Sequence, residues 1–530
     1  MTTPPAFDLT CQPWIPVLDL DGQPRVLSLR EVFQEAHRLR WLDAEAPPVT
    51  AALHRLLIAV LHHALDGPKT RHEWATLWND TTLPATDIGE YLDKHSRSFD
   101  LFDAEHPFLQ CPQLHNIEMG PAAKLVHFRA SGSNRTLFDH TRADDQIELS
   151  PAEAARWLVT VQAYDPGGTK TPVTTKNSDK SLCNRFGVVL VEGATLKETL
   201  LLNTCEYDPP VKKPWSSAFD DRPAWDAEPP PSTPDAREPY GWLDLLTWPA
   251  RRVLLRPAGD GELIEGAVIA PGTSFKGDLY RAELMASFQQ KKGKANDRPQ
   301  WNAVGLEELQ GVWRHARDML LVEAEENGRP RVLEHVAEQV EWDTLSPHTV
   351  FTLRVFGQKL DDSGGGSVRS WLQEQLPAPA ALLNAREPWL GEVIGSCVGL
   401  ADSLGQALAT LDKECRLAFQ AEPPAKVRRN ARRNVGLAQD YWPKLPAEFA
   451  ELLLHLGRAV ADDSPPKPPV LDWRGFVRHQ ANHAADRLVS QLRERQSRHL
   501  FEISAAYEHF QIAVAKHLKT FDGQLARHLP

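Results

Sequence analysis

The spacing of apolar residues in the last third of the sequence is the feature that most constrains the fold. After about Pro379, apolar side chains recur at alternating intervals of three and four residues, which places one stripe along a helix. This first stripe consists of Leu390, Val393, Cys397, Leu400, Leu404, Ala407 and Leu411. The same spacing predicts a final helix whose apolar face contains Leu500, Ile503, Tyr507, Phe510, Val514 and Leu518.

Two more helical segments lie between these stripes. They are PAEFAELLLHLGRAVA at 446–461 and WRGFVRHQANHAADRLVSQL at 473–492, separated by the loop DDSPPKPPV. Four helices with short connections predict a C-terminal four-helix bundle over residues 379–530.

Residues 1–378 combine strand and helix signals. Two short apolar segments flank Asp21-Gly22, a dipeptide typical of tight hairpin turns because glycine tolerates the positive φ that such turns require. Ser28 and Glu31 then have the spacing of a capping box, which predicts the start of a helix. A hairpin followed by a helix therefore opens this domain.

The rest of residues 1–378 also combines helix and strand signals. An apolar helix is predicted from near Thr50, and a second capping-box pattern at Ser150 and Glu153 precedes the segment AARWLVTVQAY. Strand-like segments occur at FGVVLVEG and RRVLLRP without a βαβ rhythm, so we expect an α+β domain rather than a doubly wound sheet. The proline-dense stretch 208–239 predicts a long surface connection.

Composition excludes several classes of protein. With 530 residues, of which 42% are hydrophobic and 25% charged, the chain is expected to form about two to four folded domains. No run of about 18 apolar residues predicts a membrane-spanning helix, and MTTPPAFDLT lacks the features of a signal peptide. Its six cysteines are scattered without a C-x-x-C pair. We expect a cytoplasmic protein with reduced thiols and no membrane partner.

Common catalytic motifs are absent from the sequence. There is no G-x-x-x-x-G-K-[ST], no H-E-x-x-H, no G-x-S-x-G and no strand-linked G-x-G-x-x-G. His479 and His483 are four residues apart, but no third metal ligand is evident, so solvated helix histidines are the better interpretation. The sequence predicts no catalytic residue, metal or cofactor. A freestanding enzyme with an unrecognised active site remains the alternative.

One strongly basic segment contrasts with the formal net charge of -12. KVRRNARRN, 426–434, has five cationic side chains in nine residues and no interleaved acid. In a helix, Arg428 and Arg432 would repel each other, as would Arg429 and Arg433. The segment is either a solvated basic face or a binding site for an anion.

Several stretches occur in a characteristic order along the chain. They are WIPV before the hairpin, AEHPFLQ at 104–110, SGSNRTLFDH at 131–140, LTWPARRVLL at 246–255, LSPHTVFTLRVFG at 345–357, and the helical C-terminal third. Together they resemble the CasA family, the large subunits of the type I-E CRISPR surveillance complex Cascade. The resemblance runs from end to end.

The resemblance implies a noncatalytic subunit that recognises the protospacer-adjacent motif in double-stranded target DNA. It further implies that the chain helps to open the duplex for pairing with a CRISPR guide RNA and recruits a helicase-nuclease. Other Cascade subunits would be its partners. In such a complex, base pairing with the guide RNA recognises the long target sequence, and the protein recognises only the short motif in the duplex.

The resemblance also assigns the RNA-contacting residues. Phe138 matches the family's loop residue that anchors the subunit on the 5′ end of the guide RNA, with Asp139 and His140 as its neighbours. An aromatic side chain on a polar loop can stack on an unpaired base. From the residues alone, Phe138 could equally be a lid over its own core.

Further matches concern DNA. YDPGGTKTP, 164–172, occupies the place of the family's glycine loop, with Gly167, Gly168 and Lys170, although it is also compatible with an ordinary Pro-Gly turn. Lys276 is the candidate for the family's lysine that enters the minor groove. Arg281 or the KKGK segment at 291–294 are its alternatives.

The last matches concern strand separation and the path of the target. A hairpin carrying a wedge residue is expected within 357–371, where Gln358, Lys359 and Asp362 are the candidates. Because the family's bundle lines the path of target DNA, the resemblance implies phosphate contacts from the basic segment. Its contacting residues would be Arg428, Arg429, Arg432 and Arg433.

Overall fold

A computed structural model of the chain describes residues 5–127, 148–169, 177–214, 218–259, 261–291, 300–306, 311–321, 328–361, 367–418, 435–495 and 497–529. Its helices are α1 (Leu29–Glu35), α2 (Pro47–Leu65), α3 (Arg71–Asn79), α4 (Ala85–His95), α5 (Pro151–Tyr164), α6 (Leu196–Leu202), α7 (Trp242–Leu246), α8 (Leu279–Ala282), α9 (Ala316–Leu320), α10 (Arg331–Glu341), α11 (Ala380–Asn384), α12 (Pro388–Ala418), α13 (Val435–Tyr441), α14 (Leu445–Ala461), α15 (Lys467–Arg495) and α16 (Leu500–His528). Its strands are β1 (Ile15–Asp19), β2 (Pro24–Leu27), β3 (Leu39–Leu42), β4 (Gly120–Pro121), β5 (Gly168–Thr169), β6 (Asn177–Ser178), β7 (Val188–Glu192), β8 (Asp235–Arg237), β9 (Arg251–Pro257), β10 (Ile264–Pro271), β11 (Thr273–Phe275), β12 (Phe288–Lys291), β13 (Gln300–Ala303), β14 (Val350–Leu360) and β15 (Val368–Pro379).

The predicted N-terminal hairpin is confirmed. β1 and β2 are antiparallel, with Ile15 opposite Leu27, and β3 pairs with the other edge of β1. Gly22 has a φ of +77°, in the region that favours glycine over other residues. The glycine therefore fixes the position of the turn.

Both predicted capping boxes are confirmed as well. The backbone N–H of Ser28 donates to the Glu31 carboxylate at 2.8 Å, and the Glu31 N–H donates to Ser28 Oγ at 3.3 Å. Ser150 and Glu153 repeat the arrangement at 3.0 and 3.2 Å. The second box begins α5, whose C-terminal end carries part of the candidate site described below.

The helix predicted from near Thr50 begins earlier, at Pro47, so that boundary was wrong. Proline suits the first turn of a helix because the N–H that it lacks would have no partner there. Two helical stretches are long and apolar enough to cross a membrane, Pro47–Leu65 and Trp389–Leu417. Of the apolar window in the first, 83% is buried within the protein, where α2 packs against α4, α5 and α7. Burial in the core accounts for its composition.

Three sheets position the candidate site. β10 pairs with β9 on one side and with β4 on the other, giving the order β4-β10-β9. β11 follows β10 directly and pairs in parallel with β8. β14 pairs with β7 and β15, in the order β15-β14-β7. The segments FGVVLVEG and RRVLLRP thus form β7 and β9, as predicted.

The proline-dense stretch 208–239 is a surface connection with a few buried anchor residues. In its described part, regular structure is confined to the short turn Pro209–Val211 and to β8. Trp225 and Asp221 are nevertheless buried, and the Asp221 carboxylate accepts hydrogen bonds from the N–H groups of Leu243 and Asp244 at 3.0 Å. The prediction of a surface connection is confirmed, because most of its described residues are exposed, and a buried acid ties it to the start of α7.

The chain divides into two compact units. Unit 1 comprises Met1–Leu306, Pro330–Gln339 and Thr352–Gln375, and unit 2 comprises Glu307–Arg329, Val340–Phe351 and Leu376–Pro530. The sequence-based division into 1–378 and 379–530 places its boundary close to Leu376, where the last segment of unit 2 begins. It assigns Glu307–Arg329 and Val340–Phe351 to the first domain, whereas the structure places them in unit 2.

Polar contacts explain why earlier segments join unit 2. Arg314 Nε donates to Asp402 at 2.8 Å, and Arg329 Nη1 donates to the Leu383 carbonyl at 2.8 Å. Such long-range pairs leave no local pattern in the sequence. The predicted α+β class is confirmed, with its helical region at the C-terminal end.

Unit 2 contains the predicted long helices. α12 packs against α15 and α16, and α14 packs against α15. Every residue of the first predicted stripe is buried, which confirms it. The description of these helices as a four-helix bundle stays a prediction.

Two details of this region were wrong. Leu500 is 45% exposed and Tyr507 is only half-buried, because the buried face of α16 follows Ile503 and Phe510. α15 begins at Lys467 and includes part of the predicted loop. Pro468 and Pro469 fall in its first turn, where prolines are tolerated.

Candidate nucleic-acid interface

The predicted glycine loop is the first arm of a short hairpin that follows α5. Gly167 and Gly168 have φ values of +87° and +91°, and Gly168 then pairs with Ser178 in the β5–β6 ladder. A Cβ atom on Gly167 would lie 2.8 Å from the Ser178 carbonyl oxygen, whereas one on Gly168 would meet no heavy atom of the described chain within 4 Å. Gly167 is therefore required by packing, and Gly168 leaves open space beside the backbone. Lys170 lies outside the described residues.

A buried ion pair holds the base of this hairpin. Asp165 Oδ1 accepts a hydrogen bond from the Gly167 N–H at 2.9 Å and from Arg251 Nε at 2.9 Å. Arg251 Nη2 also donates to the Asp179 carbonyl at 2.6 Å. The Gln162 amide bonds both backbone polar groups of Arg251, at 2.8 and 3.0 Å. One guanidinium thus connects the residues before and after the glycines.

Gln358 connects the β14–β15 hairpin to the same base. Its Nε2 donates to the Tyr164 carbonyl at 2.9 Å and to Asn184 Oδ1 at 3.1 Å, and its Oε1 accepts from Trp371 Nε1 at 3.2 Å. Asn184 Nδ2 in turn donates to the carbonyls of Tyr164 and Asp165, at 2.8 and 2.9 Å. Gln358 lies in a strand, and its amide is occupied by these bonds. Its assignment as a DNA-contacting residue stays a prediction.

The tip of the β14–β15 hairpin is closed by the Asp361 N–H, which donates to the Ser367 carbonyl at 2.9 Å. The predicted wedge loop is centred on residues 362–366, which lie outside the described residues, so its assignment stays a prediction. Lys359 is half-buried on β14, one residue beyond Gln358. Asp362, in the tip itself, lies outside the described residues.

Lys276 lies directly after β11. It is exposed, and its backbone N–H donates to the Arg237 carbonyl at 3.0 Å. Its ammonium has no hydrogen bond or ion pair within the described chain, whereas the alternative Arg281 lies 3.7 Å from Asp278. Lys291 is exposed at the end of β12, and 292–294 fall outside the described residues. The difference favours Lys276 over Arg281 as the cation available to a ligand.

A cleft of about 150 Å³ brings the glycine hairpin and β11 together. The return arm of the hairpin, 178–182, forms one side, and residues 271–275 form the other. Arg185 lies over the ring of Phe275 with its Cζ 5.8 Å from the ring centroid. Burial, together with the charge of Arg185, lowers the pKa of Lys180. Segments far apart in the sequence thus meet at one positively charged cleft.

Other predicted nucleic-acid residues fall in ranges that the structure leaves undescribed. The RNA-contacting candidates Phe138, Asp139 and His140 lie within 128–147, and the basic segment with Arg428, Arg429, Arg432 and Arg433 lies within 419–434. Their assignments stay predictions.

Four residues of the site are absent from the sequence-based predictions. Asp165 and Arg251 hold the hairpin, and Lys180 and Arg185 line the cleft. A weak signal existed for Arg251, because it begins an apolar strand that would ordinarily exclude a charge. For Lys180 and Arg185 the signal was their position just after the glycine loop, without an acid between them.

No metal centre is evident in the part of the chain that the structure describes, where no group of three or more His, Cys, Asp or Glu side chains could hold an ion. His479 and His483 are both exposed on α15, with ring centroids 6.3 Å apart. This placement agrees with solvated helix histidines.

Comparisons with known proteins agree with the resemblance found in the sequence. A profile of the family described as "CRISPR-associated protein Cse1" matches residues 8–484. A curated "CRISPR-associated protein CasA/Cse1" from Thermus thermophilus is 33% identical over 424 residues, covering 78% of this chain and 79% of that protein.

Solved structures share the fold. The crystal structure of Thermobifida fusca Cse1 matches with a TM-score of 0.82 and 27% identity, covering 98% of this chain and 99% of that chain. A chain of a structure described as "CRISPR RNA-guided surveillance complex" matches with a TM-score of 0.72 over 98% of this chain and 100% of that chain. At 22% identity, the latter likeness shows the fold alone. From the family match and the curated relative together, the chain belongs to the CRISPR-associated Cse1 family, whose members are also called CasA.

Proposed function

We propose that the chain is the noncatalytic DNA-recognition subunit of a type I-E Cascade ribonucleoprotein. In this role it recognises the protospacer-adjacent motif in duplex DNA, promotes strand separation and R-loop formation, and recruits a helicase-nuclease. Membership of the Cse1 family supports a place in a surveillance complex, since a chain of the same fold belongs to a structure described as an RNA-guided surveillance complex. Guide RNA, target DNA and the other Cascade subunits are its proposed partners.

The observation that carries this proposal is the meeting of the glycine hairpin and β11 at one cationic cleft. Gly168 leaves open space beside its backbone, so a groove edge can approach closely. Lys276 extends from the end of β11 on a flexible stem, which suits the acceptors and phosphates of a minor groove. Minor-groove contacts distinguish few base pairs, so we expect recognition of a short motif with limited selectivity.

The β14–β15 hairpin supports a second part of the proposal. Gln358 bonds β14 to the base of the glycine hairpin, so the end of β14 has a defined position relative to that hairpin. A loop that follows a strand held in this way can separate base pairs next to a bound motif. We assign the wedge to the tip of the β14–β15 hairpin, and to Gln358 the role of fixing the end of β14.

Two further contacts complete the proposed role. Phe138, with Asp139 and His140, would anchor the subunit on the 5′ end of the guide RNA, and the arginines of 426–434 would contact target phosphates. Neither requires catalysis by this chain. Strand cleavage would belong to the recruited helicase-nuclease.

The test is a comparison of complexes assembled with and without this chain. Each complex is offered a library of duplexes whose bases are randomised beside the guide-complementary segment. We expect enrichment of a small set of flanking sequences only when the chain is present. A duplex already unpaired at that position should bind both complexes more nearly equally. Identical enrichment with and without the chain would contradict the proposal, and turnover of a substrate by the purified chain alone would favour the enzyme alternative.

A further inference from the structure

The cleft beside the glycine hairpin has the size and chemistry of a small anion site. Its volume is about 150 Å³, below the roughly 300–1,000 Å³ of sites that hold a whole cofactor or drug-sized ligand. Lys180 and Arg185 line it from the hairpin side, and Ser274 of β11 lines it from the other. A compact group such as a phosphate fits this space better than an extended molecule.

The cations of the cleft lack the partners that surface cations usually find. In the described residues, neither Lys180 nor Arg185 has a side-chain hydrogen bond or an ion pair, although Arg185 stacks over Phe275. By contrast, the third cation of the lining, Arg251, is neutralised by Asp165 at 2.8 Å. Lys180 and Arg185 repel each other, and an anion bound beside both would relieve that repulsion.

One carboxylate reduces this positive charge. Asp179 lies on the lining next to Lys180 and is exposed, and its backbone carbonyl is held by Arg251. With Lys180, Arg185 and Asp179 counted, the cleft is still positive. Asp179 therefore weakens an anion site without abolishing it. Removing its charge should strengthen anion binding, whereas removing the charge of Lys180 or Arg185 should weaken it.

We propose that this cleft is a phosphate-binding subsite, in which Lys180 and Arg185 hold one backbone phosphate of the DNA duplex beside the glycine hairpin. The planar guanidinium of Arg185 matches the geometry of phosphate oxygens, and the Lys180 ammonium adds a compact charge. The Ser274 hydroxyl is a further donor on the opposite wall. The subsite rests on the proposed DNA-recognition function and adds to it a contact that orients the duplex without reading its sequence.

The test measures the salt dependence of duplex binding by assembled complexes. Because neutralising one phosphate on duplex DNA contributes about 0.9 to the slope of log affinity against log salt, the Lys180→Gln, Arg185→Gln double variant should lose about 0.9 of slope. Preference for motif over non-motif duplex should be kept. Arg185→Lys, which retains the charge, should keep most of the slope.

Matched variants separate a local contact from general charge. Lys212→Gln removes an exposed lysine of the same unit that does not line the cleft, and it should leave the slope unchanged. Asp179→Asn should increase affinity at every salt concentration. The subsite is contradicted if the Lys180→Gln, Arg185→Gln variant has the same slope of log affinity against log salt as Lys212→Gln. It is also contradicted if Asp179→Asn weakens duplex binding.

A second experiment distinguishes a DNA phosphate from a free one. Inorganic phosphate is titrated into the isolated chain, and binding is followed by calorimetry. The proposal predicts weak binding that is reduced by the double variant. Tight phosphate binding together with an unchanged DNA salt slope would overturn the DNA assignment. If the wild-type complex shows no preference for motif over non-motif duplex, the proposed function is contradicted. If the double variant still has a smaller salt slope than wild type in that case, the phosphate subsite remains supported.

Discussion

Arg251 and Asp165 form a buried ion pair in which Nη2 and Oδ1 are 2.8 Å apart and each side chain is 3% exposed. The same guanidinium donates to the Asp179 carbonyl, so this one pair holds both arms of the glycine hairpin. Its charges are shielded from water and balance each other. The position of the proposed motif-reading loop therefore depends on a contact within the core.

Breaking this pair should destabilise unit 1 and displace the hairpin. Asp165→Asn leaves a buried guanidinium without a carboxylate, which we expect to cost about 3–5 kcal/mol of unfolding free energy, measured by urea titration. Combining it with Arg251→Met should cost less than the sum of the single changes, because the pair can be broken only once. Strictly additive effects would show that the two groups act independently.

Acidification should also destabilise unit 1, because it contains buried neutral histidines. Burial, together with the charge of Arg354, lowers the pKa of His54 to about 4. An unfolded histidine has a pKa of about 6.5, so between about pH 4 and 6.5 the unfolded chain binds more protons and stability falls as pH falls. The expected decrease is about 1.4 kcal/mol per pH unit for each such group.

His54→Leu tests this pH dependence directly. It removes the titrating ring, and the slope of unfolding free energy against pH between about 5 and 6.5 should decrease by up to about 1.4 kcal/mol per pH unit. His72→Leu, at an exposed position of α3, is the control and should leave the slope unchanged. Equal slopes for His54→Leu and wild type would contradict the assignment.

The parts of the fold that could be predicted are those set by local chemistry. Gly22 at a hairpin turn and the capping boxes at Ser28 and Ser150 depend on neighbours within a few residues, and all were predicted correctly. The α12 stripe was likewise predicted because its period is visible in the sequence. Leu500 was wrongly assigned to the apolar face of α16. It is the first residue of the helix, and it lies outside the face that is buried farther along the helix.

The candidate site was less predictable because its organising contacts join distant segments. The Arg251–Asp165 pair and the bond from Gln358 to the Tyr164 carbonyl depend on how β9, β14 and α5 pack. Gln358 is a predicted DNA contact on position alone, and only the tertiary structure reveals that its amide is already occupied. Lys180 and Arg185 gain a role only when the cleft is visible.

The proposed RNA anchor makes a prediction about assembly. Base–aromatic stacking is worth about 1–3 kcal/mol, so Phe138→Ala should weaken incorporation into the guide-RNA complex by that amount. The isolated variant should unfold at the wild-type temperature. Unchanged incorporation in a pull-down, together with a lower melting temperature, would instead support a lid over the protein's own core.

The basic segment makes a prediction about salt. Changing Arg428, Arg429, Arg432 and Arg433 together to Gln should flatten the salt dependence of duplex binding by the assembled complex, by about 0.9 for each phosphate that the segment no longer neutralises. Stability should be kept, since Gln is a good helix former and like-charge repulsion is removed. Affinity should fall about equally for all sequences, because phosphate contacts carry no base information. An unchanged slope would favour a solvated basic face.

The most direct test of the proposed function is the ratio of affinities for motif and non-motif duplex in complexes assembled with Lys276→Ala or Gly168→Val. Gly168→Val places a branched side chain at a φ of +91° in the open space beside the backbone, and Lys276→Ala removes the available cation. We predict that each variant assembles normally, loses most of the motif preference and still binds a pre-opened target, whereas Lys212→Gln keeps the wild-type ratio. Wild-type discrimination by both Lys276→Ala and Gly168→Val would contradict the central claim that these elements read the motif.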